Sequence, residues 1–298
     1  MEIDFVKEDV GFIRDAVNIG VIKRNSEVIL VDSGLDKDTA RNIRKTIEDE
    51  GLRITTIINT HSHADHFGGN DYLVRNLGAK VYAPEIESGI IQYPILEPVY
   101  LFNGANPIND LRNKFVLAKP SPVNEVIHPG KMKIDSVEME VIHLPGHSFN
   151  QMGILFQDVL FCADSLFSER VIKKYRIPVL HDVGSHLKTL NKLENMSHSL
   201  YVPSHTKPTD DLSELISVNR GVVEQIIDDI KDLLVHTLST EEVTESLCTR
   251  YDLELPSVQQ YCLIQMTLMA YLGYLKEKKE IVVEVKGNRL KWKICSKC

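Results

Sequence analysis

The chain has 298 residues and a formal net charge of −8, with 42 acidic against 34 basic residues. That is room for one large domain and a small one, without the positive field of a protein that coats nucleic acid. Residues 1–9 are acidic and hold no signal-peptide core, and no apolar run is long enough to span a bilayer, so the expectation is a cytoplasmic protein with no membrane partner.

The first half alternates strands with helices. Residues 12–22 and 27–31 read as a hairpin turned at Asn25-Ser26, and 37–50 as a helix entered at Asp36 and ended at Gly51. An apolar strand over 54–59 runs into Thr60-His61-Ser62-His63-Ala64-Asp65-His66, followed by a short helix over 71–77 and a strand over 80–83. An H-x-H-x-D-H cluster at a strand end gathers neutral nitrogen and anionic oxygen around one point, where Zn²⁺ or a similar divalent ion can be held. Gly68-Gly69 follow at once, as suits a chain bending tightly around an ion.

Residues 84–126 show no clean period, and 93–104 mix Tyr93, Leu101 and Phe102 with Pro94 and Pro98. A long irregular connection inside a compact domain is more often functional than idle. This one reads as a lid over the metal site, with a homodimer contact as the alternative.

Further polar residues stand at the ends of strand-like runs: Asp32 after 28–31, His147 after 141–146, Asp164 after 159–163 and His205 after 200–204. Five scattered cysteines, an odd number, read as thiols of a reducing compartment. Cys162, two residues before Asp164, reads as a core thiol, and Cys295-Ser296-Lys297-Cys298 lacks the second pair of a zinc ribbon. A loop through Tyr175 and His181-Asp182 enters a helix near Ser185-His186. From 212 on the chain is helical, over 214–238, 240–250 with Thr240 as N-cap, and 256–279; strands over 281–285 and 290–294 then flank a turn at 286–289.

In kind and order, Asp32, the His61-to-His66 cluster, His147, Asp164 and His205 resemble the five motifs of the metallo-β-lactamase superfamily, over residues 1 to about 215. The resemblance implies an α/β fold, a four-layer αββα sandwich over 1–213 carrying the 84–126 insertion. A small C-terminal helical, winged-helix-like domain over 214–298 resembles the module of a lactamase-like subgroup with endoribonuclease activity. It also implies two divalent metal ions per chain, Zn foremost, with Fe and Mn as alternatives. His61, His63 and His147 would hold one, Asp65, His66 and His205 the other, and Asp164 would bridge them. Asp32 would orient ligands without binding metal. In relatives the loop after Asp164 faces the metals, which makes Tyr175, His181 and His186 candidate substrate contacts, joined by Tyr100 and Phe102 of the insertion.

The expected activity is hydrolysis of a small-molecule carboxylic ester, thioester or lactone, glyoxalase II-like, by a hydroxide on a dinuclear metal site, with catalytic Asp65 accepting or passing the proton. The alternatives are a metal-dependent phosphodiesterase or endoribonuclease, and a mononuclear iron sulfur dioxygenase, which the full second ligand set disfavours. Asp164 replaces the Cys of β-lactam-destroying members, and His63 the Glu usual in flavo-diiron members. The short 164–205 segment excludes nucleases with a large insertion there. The basic hairpin at Lys286, Arg289, Lys291 and Lys293 raises nucleic acid as a partner, but acidic helices before it leave the module near neutral, and capping or dimer formation is preferred.

Overall fold

The computed structural model describes residues 1–295. The chain opens with β1 (Ile3–Lys7), β2 (Val10–Ile13), β3 (Ile19–Arg24) and β4 (Glu27–Val31) in antiparallel succession. Three strands then join in parallel: β5 (Arg53–Ile58) after α1 (Lys37–Asp49), β6 (Lys80–Pro84) after α2 (Ala64–Phe67) and α3 (Asn70–Leu77), and β7 (Glu125–Ile127) after α4 (Glu85–Gln92), α5 (Leu96–Leu101) and a 3₁₀ turn at Asn109–Leu111. The result is one seven-stranded sheet in chain order.

A five-stranded sheet follows, from β8 (Gly130–Ile134), β9 (Val137–His143), β10 (Met152–Phe156), β11 (Val159–Ala163) and β12 (Leu200–Pro203), ordered β12-β11-β10-β9-β8. Its pairs are antiparallel except β11 with β12, which are joined through α6 (Glu169–Tyr175) and α7 (Val183–Glu194). The chain ends in α8 (Ser213–Leu233), β13 (Leu238–Ser239), α9 (Thr240–Arg250), α10 (Val258–Glu277), β14 (Ile281–Lys286) and β15 (Arg289–Ile294), the strands forming a small sheet in the order β13-β15-β14.

Burial shows why the two large sheets stack. Phe12, Ile29, Val31 and Ile58 from the first meet Val141, Ile154 and Phe161 from the second in one apolar layer. The outer face of the first sheet buries Leu30 and Ile57 under Ile43 and Ile47 of α1 and Leu73 of α3. The outer face of the second buries Ile142, Leu160 and Cys162 under Leu190 and Leu193 of α7 and Ile216 of α8. Covered on both faces, central strands become continuous apolar runs, as in Val28-Ile29-Leu30-Val31. This is the expected αββα sandwich. A fourth core joins Val223, Ile226, Leu268 and Tyr271 of the C-terminal helices to Phe167, Ile177, Leu180 and Val183, so the C-terminal module is fused to the segment that follows Asp164.

Several expectations need correction. The strand expected over 12–22 is two, β2 and β3, because Arg14 and Asp15 are exposed and turn the chain between them. The segment 84–126 is not irregular: it holds α4, α5 and the 3₁₀ turn. Helices of six to eight residues make about two turns or fewer, too short for a readable period, and Pro98 sits in the first turn of α5, where its missing N–H breaks no helical bond. The cap of α9 is Ser239 and not Thr240; Ser239 and Glu242 complete a reciprocal capping box. The helix expected over 214–238 stops at Leu233, freeing Leu238 and Ser239 to pair with Trp292 and Lys291 of β15. Cys162 is a core thiol, and burial pushes its pKa up. Cys295 lies in the described chain, but the rest of the terminal C-x-x-C lies outside the described residues.

Candidate metal centre

β4 and β5 run parallel, and so do β9, β11 and β12. The residues that leave the C-terminal ends of these five strands are Asp32, His61, His147, Asp164 and His205, and the fold brings them together at one end of the sandwich. Two of these exits are conformationally unusual. Asp32 has φ 66° and Ala163 φ 51°, left-handed values that an Ala in particular adopts only when its surroundings enforce them. Gly68 and Gly69 have ordinary φ, −60° and −79°. They are needed for space: a Cβ would lie 1.8 Å from the Leu35 carbonyl oxygen at Gly68 and 2.2 Å from that of Ser33 at Gly69. This close approach lets Ser33 N–H donate to the His66 carbonyl at 2.8 Å and presses Asp32 against the histidine cluster.

Four of the five imidazoles, all but His63, are oriented by a bond on the far nitrogen. Asp32 Oδ2 accepts from His66 Nδ1 at 2.8 Å, leaving Nε2 to face the cluster. Thr60 Oγ1 donates its single proton to Asp32 Oδ2 at 2.9 Å, so at 3.0 Å its oxygen accepts from His61 Nδ1, which leaves His61 Nε2 bare. His147 Nδ1 donates to the Val179 carbonyl at 2.9 Å and His205 Nδ1 to the Ala16 carbonyl at 3.0 Å. The Asp164 backbone N–H donates to the buried Gln151 Oε1 at 3.3 Å.

The freed atoms converge in three sets whose members lie within 4.8 Å of one another: His61, His63 and His147; His61, His66 and Asp164; and Asp65, His66 and His205. Asp164 lies between, with Oδ1 at 3.3 Å from His66 Nε2 and Oδ2 at 3.4 Å from His147 Nε2 and 3.1 Å from His205 Nε2. His66 Nε2 and Asp164 Oδ1 are buried and have no hydrogen-bond partner among the described residues, an arrangement that a native interior rarely tolerates without a ligand.

The electrostatics agree with a cationic occupant. Burial holds His61, His63 and His147 below the usual imidazole pKa, with neighbouring imidazoles adding to the effect at His61 and His63. Neutral rings of this kind are the ligand form. Burial would also depress His66 and His205, but carboxylates win: Asp164, Asp32 and Asp65 push His66 up to about 10, and Asp164 and Asp65 push His205 up to about 12. Three carboxylates in so small a space demand positive charge, and a dication answers the same demand as the two protons. The residues therefore fit divalent metal ions.

A cleft of about 990 Å³ opens onto this cluster at His63, Asp65, His147, Asp164 and His205, with Phe167 and Ile264 among its apolar walls. Of the five expected substrate contacts, Tyr175 lines it. Tyr100 and His181 form an aromatic group with Phe149, the His181 ring lying 5.9 Å from that of His63. Phe102 sits elsewhere, packed with Leu101 and Leu111 against Cys262 and Met266 of α10. His186 is buried on α7 near Phe167, away from the cleft lining.

Sequence reading missed Thr60, Glu87 and Gln151. Glu87 is fully buried; its Oε2 accepts from Ser62 N–H at 3.1 Å and from the Ser62 hydroxyl, and its Oε1 from Ser148 Oγ at 2.7 Å and Asn150 N–H at 2.9 Å. It thereby ties the His61–His63 loop to the loop of His147. No motif signals it, because its partners lie 25 to 63 residues away in the chain.

Two stacked sheets that deliver imidazoles and carboxylates to one edge define a metal-binding αββα sandwich. The family profile described as the metallo-beta-lactamase superfamily matches residues 13–205. The chain belongs to that superfamily. It is 35% identical over 121 residues to a hydroxyacylglutathione hydrolase from Shewanella pealeana, covering 40% of this chain and 35% of that protein. It is 21% identical over 201 residues to an atrochrysone carboxyl ACP thioesterase from Aspergillus fumigatus, covering 67% and 53%. The matched stretches span about a third to a half of those relatives' own lengths. Among solved structures, a beta-lactamase domain protein from Burkholderia ambifaria superposes with a TM-score of 0.78 at 18% identity, over 98% of this chain and 94% of that one. A metallo-beta-lactamase family protein from Thermus thermophilus gives 0.73 at 18%, over 98% and 96%. The shared fold thus extends through the C-terminal module.

Proposed function

We propose that this protein is a hydrolase that cleaves thioesters at a two-metal centre. The observation that carries the reading is the placement of Asp164 between two ligand sets, His61, His63 and His147 on one side and Asp65, His66 and His205 on the other, at the floor of an apolar cleft. Support for the thioester comes from relatives whose names specify two different thiol carriers, glutathione and an acyl carrier protein.

Divalent ions held there supply Lewis acidity toward a carbonyl oxygen and lower the pKa of a bound water toward ~7. The chain's own part is to hold the ligand nitrogens bare through Asp32, Thr60 and the Val179 and Ala16 carbonyls. Asp65 lines the cleft with Oδ2 at 3.5 Å from His205 Nε2, placed to take a proton from the attacking water and pass it to the departing sulfur. Phe167, Ile177 and Ile264 give the acyl chain an apolar wall and keep bulk water out. The segment 84–126, fastened through Glu87, acts as the cover over the His63 side.

The test is metal analysis of protein reconstituted with excess Zn, Mn or Fe, together with turnover of a thioester, a lactone, an aryl ester, a bis-aryl phosphodiester and an RNA. Two ions per chain and a preference for the thioester are expected. Asp164→Ala should lose both metals and turnover, and His205→Ala mainly the second ion. Occupancy that never exceeds one ion, or a preference for the phosphodiester or RNA, would overturn the reading.

A further inference from the structure

The 84–126 segment buries two glutamates with opposite fates. Glu87 on α4 is fully buried and has all its donors inside the protein. Glu97 on α5 is 4% exposed, its side-chain carboxyl group has no hydrogen bond or ion pair among the described residues, and it lines the cleft beside His63 and Asp65. Its carboxyl oxygens are not sealed in, and the little surface that they keep opens into the cleft.

A buried carboxyl group without a partner opposes folding, and native proteins retain such a group when something outside the chain completes it. Among the described residues no lysine or arginine stands close enough to pair with Glu97. A structural explanation of the Glu87 kind is therefore missing. Whether it carries its proton or not, a carboxyl offers an acceptor oxygen to an N–H or O–H donor.

We infer that Glu97 is a specificity-determining residue that accepts a hydrogen bond from an amide N–H or hydroxyl of the substrate, away from the scissile bond. The inference rests on the thioester reading above and narrows it to thioesters carrying such a donor. The donor can belong to the thiol half, as an amide near the sulfur, or to the acyl half, as a hydroxyl near the carbonyl. Discrimination of this kind is strong because a substrate lacking the donor leaves a buried polar group unpaired, whereas an apolar misfit costs less.

The experiment compares wild-type holoenzyme with Glu97→Leu and Glu97→Gln on four probes. These are an acyl thioester of N-acetylcysteamine, the same acyl thioester of propanethiol, and the 2-hydroxyacyl forms of both. For Glu97→Leu, kcat/KM is expected to fall on the order of 10- to 100-fold on the probes that carry the recognised donor and to hold at or rise above the wild-type value on those that lack it, since Leu leaves no polar group unpaired. Loss confined to N-acetylcysteamine probes assigns the donor to the thiol half, and loss confined to 2-hydroxyacyl probes assigns it to the acyl half. Glu97→Gln, whose amide oxygen still accepts, should retain most of the discrimination, and metal content should be unchanged in both variants. A uniform loss on all four probes, no loss on any, or a fall in metal content would overturn the inference. Wild-type enzyme inert toward every probe sinks the thioester reading alone. Thermal unfolding then decides Glu97: an unchanged or higher Tm for Glu97→Leu upholds a group with no internal partner, and a drop of several degrees overturns it.

Discussion

Asp32 Oδ2 lies 2.8 Å from His66 Nδ1, and both residues are almost wholly buried. The pair fixes which nitrogen of His66 faces the ligand cluster. Through Thr60 the same carboxylate also fixes His61, so one side chain orients a member of each ligand set.

Asp32→Asn should consequently weaken metal binding by roughly 10–100-fold while the protein stays folded. The amide keeps one acceptor for Thr60 N–H but sets an NH₂ against two donors, or the reverse after a flip. Competition with a chromophoric chelator measures the change. Affinity equal to wild type would show that Asp32 does not orient the ligands.

Glu87 makes a different prediction because its role is mechanical. Glu87→Ala strips four donors of their acceptor in a dry interior, and a loss of about 3 kcal/mol in urea unfolding is expected. The His61–His63 loop should part from the His147 loop, weakening metal retention alongside stability. Unchanged stability would mean that Glu87 does not clamp these loops.

The capping box gives a pH signature. Lys291 Nζ, donating at 2.8 Å, and the Ser239 N–H hold Glu242 down at about 2, from an ordinary 4.5. A pKa depressed in the folded state contributes stability that is fully present above 4.5 and is lost as pH falls through the window toward 2. The Tm difference between wild type and Glu242→Gln should stay constant from pH 7 to 5 and close below that. A gap that persists at pH 2, or none at pH 7, would assign the stability elsewhere.

The terminal hairpin separates acyl hydrolysis from nuclease action. Lys291 is engaged by Glu242 and stands opposite Glu284 in the β14–β15 register, so the basic cluster that raised nucleic acid as an alternative partner is partly neutralised inside the module. Replacing Lys286, Arg289, Lys291 and Lys293 together with Gln should leave thioester turnover unchanged and remove no salt-dependent RNA binding. RNA cleavage that requires both the metal ligands and these four residues would make nuclease action the primary function.

The sequence alone singled out the candidate ligands and their order along the chain, because H-x-H-x-D-H is a local pattern and each distant candidate ends a strand that reads as an apolar run. It also determined the αββα sandwich and the helices before the final hairpin, through resemblance and period. Tertiary structure decided the rest, since the deciding partners are far apart in the chain. Glu87 reaches Ser62, Ser148 and Asn150 from a helix too short to show a period. Gly68 and Gly69 answer the approach of Ser33 and Leu35 and no ion-induced bend. Phe102, expected in the cleft, packs against α10 because that helix, more than 150 residues later, offers it an apolar face. Glu97 was invisible for the same reason: a lone glutamate in a sequence is ordinary, and only the fold shows that it is buried, unpaired and open to the cleft.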